Sequence, residues 1–158
     1  MKILLLLTPA LLFSLEPSIA SEELPKKSFT YLNLGVTTTA SDRFSLIMPD
    51  LSLGVRTLSS HHVFDRVVGV VAHPEVQMLY VQGSYLFFPT PSEGFYFGAG
   101  ITCGLYHMKD SCPLPPTFIY ANLPITLGYQ FPSKKSFQFI QIQVTPLGTG
   151  TISYGIGF

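Results

Sequence analysis

Charge is scarce in this chain. Of its 158 residues, 11% are Asp, Glu, Lys or Arg, where about 25% is ordinary for a soluble globular domain. The nine basic and nine acidic residues cancel to a net charge of zero, so no basic field is present and no nucleic-acid partner is expected. Long apolar runs are missing too. After Ala20 no uninterrupted apolar stretch approaches the ~18 residues of a membrane-spanning helix. No cysteine follows the Ser18-Ile19-Ala20 site, which argues against a lipoprotein anchor. Metal-ligand spacing is absent around His61, His62, His73 and His107, because no Cys or carboxylate completes a set. Ser59, Ser60, His61 and His62 share one tight turn, where neighbours in sequence rarely reach nucleophile–base geometry. Leu53-Gly54-Val55 and Gly98-Ala99-Gly100 are not phosphate loops. No catalytic residue, cofactor or metal is expected.

What is present begins with an export pattern. Lys2 supplies a positive start, Ile3–Leu15 is mostly apolar, and Ser18 and Ala20 are small residues at the −3 and −1 positions. A signal peptide over 1–20, cleaved after Ala20, is therefore expected. A short segment 21–28, with Lys26-Lys27 as a charged flank, leads into the body at 29–158.

The mean hydropathy of +0.38 is high for an exported chain without a membrane helix. A closed sheet resolves that conflict, since it can present apolar side chains to lipid while pairing every backbone group between strands. Period-2 alternation supports it across Phe29–Thr38, Asp50–Leu58, Val63–Val71, Gln77–Phe88, Phe95–Leu105, Ile119–Phe131, Phe137–Thr145 and Thr151–Phe158. Phe95, Phe97, Ala99, Ile101 and Leu105, for instance, oppose Gly98, Gly100, Thr102 and Gly104. The second face is Gly, Ser, Thr, Asn and Gln throughout, as a narrow lumen requires. Segments of roughly 9–13 residues have the length of tilted membrane strands. The expected fold is all-β: an antiparallel up-and-down transmembrane barrel of about eight strands.

Counting from a periplasmic N-terminus, the short turns Ser59–His62, Pro89–Gly94 and Pro132–Ser136, with Lys134-Lys135 at a solvated tip, fall on the periplasmic side. The loops Thr39–Ile47, Ala72–Val76, Tyr106–Pro116 and Pro146–Gly150 fall outside. Of the 20 aromatics after Ala20, 13 lie near the periplasmic ends: Phe29, Tyr31, Phe64, Phe87, Phe88, Phe95, Tyr96, Phe97, Tyr129, Phe131, Phe137, Phe139 and Phe158. They are expected to form an interfacial girdle.

Val63–Val71 alternates least, and Asp65-Arg66 within it cannot both face the lumen. A two-residue turn centred on Ser60-His61 would set Arg56 opposite Asp65 as a lumen ion pair. It would leave Arg66 outward, near an interface its stem can reach. Pro124 removes a ladder donor, so a bulge or a broken ladder is expected there. Export makes a disulfide between Cys103 and Cys112 possible, but Cys103 shares the outward parity. Free thiols or intermolecular bridges are the alternatives.

The layout of Phe29–Phe158 resembles the small eight-stranded outer-membrane barrels of the OmpA transmembrane-domain and OmpX kind. It does so through strand count, outward parity and a last strand carrying Ile152, Tyr154, Ile156 and terminal Phe158. The resemblance implies that these four residues act as the signal read by the outer-membrane assembly machinery, and that the partners are the outer-membrane bilayer and an unknown external molecule. The lipid A deacylases share this size, but their His-x-Ser motif is absent: Val63, Phe64, Glu75 and Lys109 follow the four histidines two residues on. A non-enzymatic outer-membrane protein, structural or contact-making through its outer loops, is the leading expectation. A small-solute pore is the alternative, followed by a lipid-modifying enzyme and a soluble ligand-binding sandwich.

Overall fold

The computed structural model describes residues 27–40, 45–91, 93–108, 117–132 and 136–158. The expected signal peptide over 1–20 and Cys112 lie outside the described residues.

Alternating sequence forms nine strand segments: β1 (Lys27–Ala40), β2 (Ser45–Ser59), β3 (His62–Ala72), β4 (Val76–Phe87), β5 (Gly94–Met108), β6 (Thr117–Asn122), β7 (Ile125–Phe131), β8 (Phe137–Val144) and β9 (Thr149–Gly157). Each is antiparallel to its neighbours, and β6 and β7 both pair with β5 as successive parts of one strand. Pairing of β1 with β9 closes an up-and-down barrel of eight strands. Closure matters physically because it leaves few backbone donors and acceptors without a partner strand.

The closing seam is apolar on its outer side. Leu32 lies opposite Ile156, Leu34 opposite Tyr154 and Val36 opposite Ile152. The Phe158 N–H donates to the Thr30 carbonyl at 3.0 Å, while its ring is 79% exposed. Both described chain ends therefore sit at one end of the barrel, with the Ser60-His61 turn, the end of β4 at Phe87, the start of β5 at Gly94, the end of β7 at Phe131 and the start of β8 at Phe137.

β1 begins at Lys27, two residues inside the expected leading segment. The loop expected over Thr39–Ile47 is largely strand, because Thr38 pairs with Ile47 and Thr39 with Leu46. Pro49 lies beyond the first β2–β3 pair, Asp50 with Val71, so β2 has only β1 beside it there. An edge of that kind tolerates proline.

The ladder is broken at Pro124, without a bulge. Thr102 pairs with Asn122 and Ala99 with Ile125, so the register on β5 runs through the gap unchanged. The Gly100 N–H still donates to the Pro124 carbonyl at 2.9 Å; the reciprocal bond is missing because proline has no N–H. Asn122 Oδ1 accepts the Leu123 N–H at 2.9 Å, so a side chain replaces a ladder partner.

The β2–β3 turn is centred on Ser60-His61, and Ser60 has φ of 53°. A side chain in this left-handed region is strained, and glycine relieves that strain at some entropic cost. Ser60→Gly is therefore expected to stabilise the barrel by about 0.5–1 kcal/mol, read as a higher urea midpoint of detergent-folded protein.

Candidate functional site

The inward face carries large rings beside the small neutral residues expected from the sequence, such as Asn33, Ser52, Thr102 and Ser153. Several inward glycines are roofed by a ring on the next strand. Gly54 lies opposite Tyr31 and Gly69 opposite Tyr80, and a Cβ on either glycine would fall inside the ring. Tyr96 over Gly128 and Phe139 over Gly155 repeat the arrangement. A missing side chain on one strand thus holds a large one from its neighbour.

Tyr31, Tyr96 and Phe139 gather around Arg56 in the half of the barrel nearest the described chain ends. The Ser60-His61 turn sets Arg56 opposite Asp65. Arg56 Nε and Nη2 donate to Asp65 Oδ2 at 3.2 and 2.8 Å. Tyr31 Oη donates to Asp65 Oδ1 at 2.7 Å. Gln141 Oε1 accepts from Arg56 Nη2 at 3.3 Å and from Tyr96 Oη at 3.1 Å. The guanidinium carbon lies 4.0 Å from the centre of the Phe139 ring, with Tyr96, Phe137 and Tyr31 at 5.1, 5.3 and 5.4 Å. A planar, weakly hydrated guanidinium suits such stacking, and each desolvated ring contact contributes up to about 2 kcal/mol. Phe88 stacks on Tyr96 at 4.8 Å. Arg56, Tyr31, Tyr96, Phe88 and Phe139 are fully buried, so this layer fills the bore.

The plug corrects part of the expected girdle. Tyr31, Phe88, Tyr96, Phe137 and Phe139 point inward, and Phe29 joins them by stacking on Phe137 at 5.2 Å. Their strand parity is that of the lumen, and ring packing against Arg56 holds them there. The other expected girdle rings stay outward, with Phe95, Phe97, Phe131 and Phe158 the most exposed of them.

Beyond the plug the lumen opens into a cup. A cavity of about 180 Å³ runs from Asp50 and Gln82 to the turn residues Leu147 and Thr149, at the end away from the chain termini. Asp50 is buried at its wall. Its Oδ1 accepts from Tyr80 Oη at 2.9 Å, and its Oδ2 accepts from Thr37 Oγ1 at 3.1 Å. Thr37 Oγ1 also meets Thr151 Oγ1 at 2.8 Å. Tyr106, Phe118 and Tyr120 form a ring cluster on another wall, with Tyr106 stacked on Phe118 at 5.0 Å and edge-on to Tyr120 at 6.3 Å. Sequence reasoning missed this cup. Asp50 stood at the edge of an expected strand, and only the extension of β2 to Ser45 carries its neighbours into the barrel wall.

The remaining candidates are dispersed. Arg66 faces outward, donating from Nη2 to Thr57 Oγ1 at 3.1 Å with its guanidinium carbon 5.6 Å from the Phe64 ring centre. Cys103 is a free, exposed thiol on the outer face of β5, opposite Val81 and Ala121. Ile152, Tyr154 and Ile156 are exposed along β9. His61 Nδ1 bonds the Phe88 carbonyl at 2.7 Å, and His62 Nδ1 bonds Tyr85 Oη at 2.6 Å. His107 Nδ1 meets Thr117 Oγ1 at 2.9 Å, and His73 Nδ1 accepts the Glu75 N–H at 3.3 Å. Among the described residues, no three His, Cys, Asp or Glu side chains come together as a metal set.

This architecture defines a class: the small eight-stranded β-barrel fold of bacterial outer-membrane proteins. Neisserial surface protein A shares it with a TM-score of 0.67 at 10% identity, over 85% of this chain and 98% of that one. The attachment invasion locus protein Ail of Yersinia pestis, crystallised with the heparin analogue sucrose octasulfate, matches with a TM-score of 0.53 at 11% identity, over 85% of this chain and 97% of that one. The backbone structure of outer membrane protein Ail in a phospholipid bilayer nanodisc matches at 0.50 and 13% identity, over 84% and 100%. No family model matches the sequence, and no curated protein matches it.

Proposed function

We propose that the chain is an exported outer-membrane protein that acts without catalysis, making contacts through its outer loops, of which His73–Glu75 and Thr145–Gly148 are described at the far end of the barrel. One observation carries this reading. The barrel is apolar outside and plugged in the half nearest the described chain ends, so its surface chemistry is directed to a bilayer and to its far rim. Leu34, Leu53, Ile101, Leu127 and Ile142 are each about half exposed on the outer faces of β1, β2, β5, β7 and β8, where lipid would cover them. The fold shared with Ail in a nanodisc supports the bilayer setting. Phe158, Ile156, Tyr154 and Ile152 stand outward on the closing strand, accessible to an assembly machinery before insertion. Ail's complex with a heparin analogue is a precedent for an external partner of this fold.

The Arg56 plug weighs against a small-solute pore, since the bore holds a buried ion pair and five large rings where solute would pass. Planar-bilayer recordings are expected to show no stable conductance.

Cell fractionation followed by electrophoresis with and without heating tests the proposal. The expected result is recovery in the outer membrane and a band whose mobility changes on boiling. Recovery in the soluble periplasmic fraction without detergent overturns it.

A further inference from the structure

Among the described residues, the lining of the cup holds one charge and none of opposite sign. Asp50 is the one formally charged residue among the described residues lining it. Arg56, on the same inward face of β2, is six positions along, about 20 Å at the rise of an extended strand. Asp65 already engages it. Two hydroxyl groups donate to Asp50, from Tyr80 and Thr37. Burial disfavours the charge of this carboxylate, and the hydroxyl donors on both oxygens oppose that by favouring the ionised form, which has only acceptors to offer.

The other walls are unlike those of a metal site. They carry the rings of Tyr80, Tyr106, Phe118 and Tyr120 together with neutral Thr, Gln and Asn side chains. Aromatic walls beside one carboxylate are the surroundings in which alkylammonium groups bind, because ring faces attract a diffuse cation while the carboxylate sets its position. The space also fits. A cavity of about 150 Å³ admits benzene, and this one is about 180 Å³.

We propose that the cup is a binding site for a small organic cation, an alkylammonium of about the size of choline, held by Asp50 and the rings of Tyr80, Tyr106 and Tyr120. The site requires only the closed barrel, so it stands or falls independently of contacts made by the rim.

The test uses the full mature chain folded in detergent micelles at fixed ionic strength. Choline chloride is titrated by calorimetry, against 3,3-dimethylbutan-1-ol, which has the same shape without the charge. Saturable one-site binding of choline is expected in the millimolar range, with the neutral alcohol at least tenfold weaker. Asp50→Asn is expected to weaken choline at least tenfold, and Tyr120→Leu severalfold, with the unheated gel mobility of both variants unchanged. Should Asp50→Asn fail to fold, Tyr120→Leu and the neutral alcohol decide. No saturation by choline, equal binding of alcohol and choline, or unaltered affinity in the folded Asp50→Asn protein each overturns the proposal.

Discussion

Replacing Asp65 by alanine is expected to destabilise the folded barrel by about 3–5 kcal/mol, because it leaves a buried guanidinium without its anion. Arg56 is fully buried and Asp65 is 3% exposed. The carboxylate accepts both the Nε and the Nη2 bonds of Arg56 and the hydroxyl of Tyr31, so three donors lose their acceptor together. Gln141 and four ring faces would remain around the cation, which offsets part of the loss. Asp65→Asn, which keeps the shape and an acceptor oxygen, is expected to cost less than alanine. Replacing both partners, as Arg56→Met with Asp65→Leu, should recover most of the stability. A matched apolar pair removes the desolvation cost along with the attraction. Urea titrations of detergent-folded protein, read by the unheated band, measure all three variants. A cost below about 1 kcal/mol for Asp65→Ala would mean that water reaches Arg56 as it does an exposed pair, and the plug would then not be sealed.

The strands were legible wherever one face was small or polar. In β5, Gly98, Gly100, Thr102 and Gly104 alternate against outward apolar residues, and the barrel keeps that parity. In β3 the signal fades for a physical reason: Val63, Val67 and Val71 face the lumen while Val68 and Val70 face out, so hydrophobicity cannot distinguish the sides. The six inward aromatics were misassigned because strand-end clustering reports height along the barrel and not direction. Parity held the missing information. Tyr31 lies in step with Asn33, Phe139 with Gln141 and Tyr96 with Gly98, all inward positions, and each ring lies beside a cross-strand glycine. Proline at 124 was legible as a lost donor, but continuity of register across it depends on Asn122 and Gly100, which no local pattern reveals. The cup was illegible because Asp50 becomes an interior acid only when Tyr80 and Thr37, from two other strands, close around it.

Leu34→Arg is expected to cost about 2–4 kcal/mol when the barrel is folded into phosphatidylcholine vesicles, whereas Ile47→Arg should cost about 0–1 kcal/mol. Leu34 is 56% exposed and Ile47 69%, so exposure alone ranks them the wrong way for this outcome. Depth separates them. Leu34 lies near the middle of β1, between Leu51 and Tyr154, while Ile47 pairs with Thr38, four residues nearer the far rim. Four residues span about 13 Å of strand, or about 10 Å of depth at a tilt near 40°. That carries the second arginine from the hydrocarbon centre toward the interface, where its stem can extend to water. The same pair of substitutions on a water-facing sheet would each change stability by about 0.5 kcal/mol or less. Equilibrium urea titrations in vesicles, repeated in a short-chain detergent, give the comparison. Two small and equal costs would remove the bilayer from the outer face of the barrel. A large cost at Leu34 that shrinks in detergent would assign the apolar exterior to lipid, because a depth-dependent penalty has no source in water.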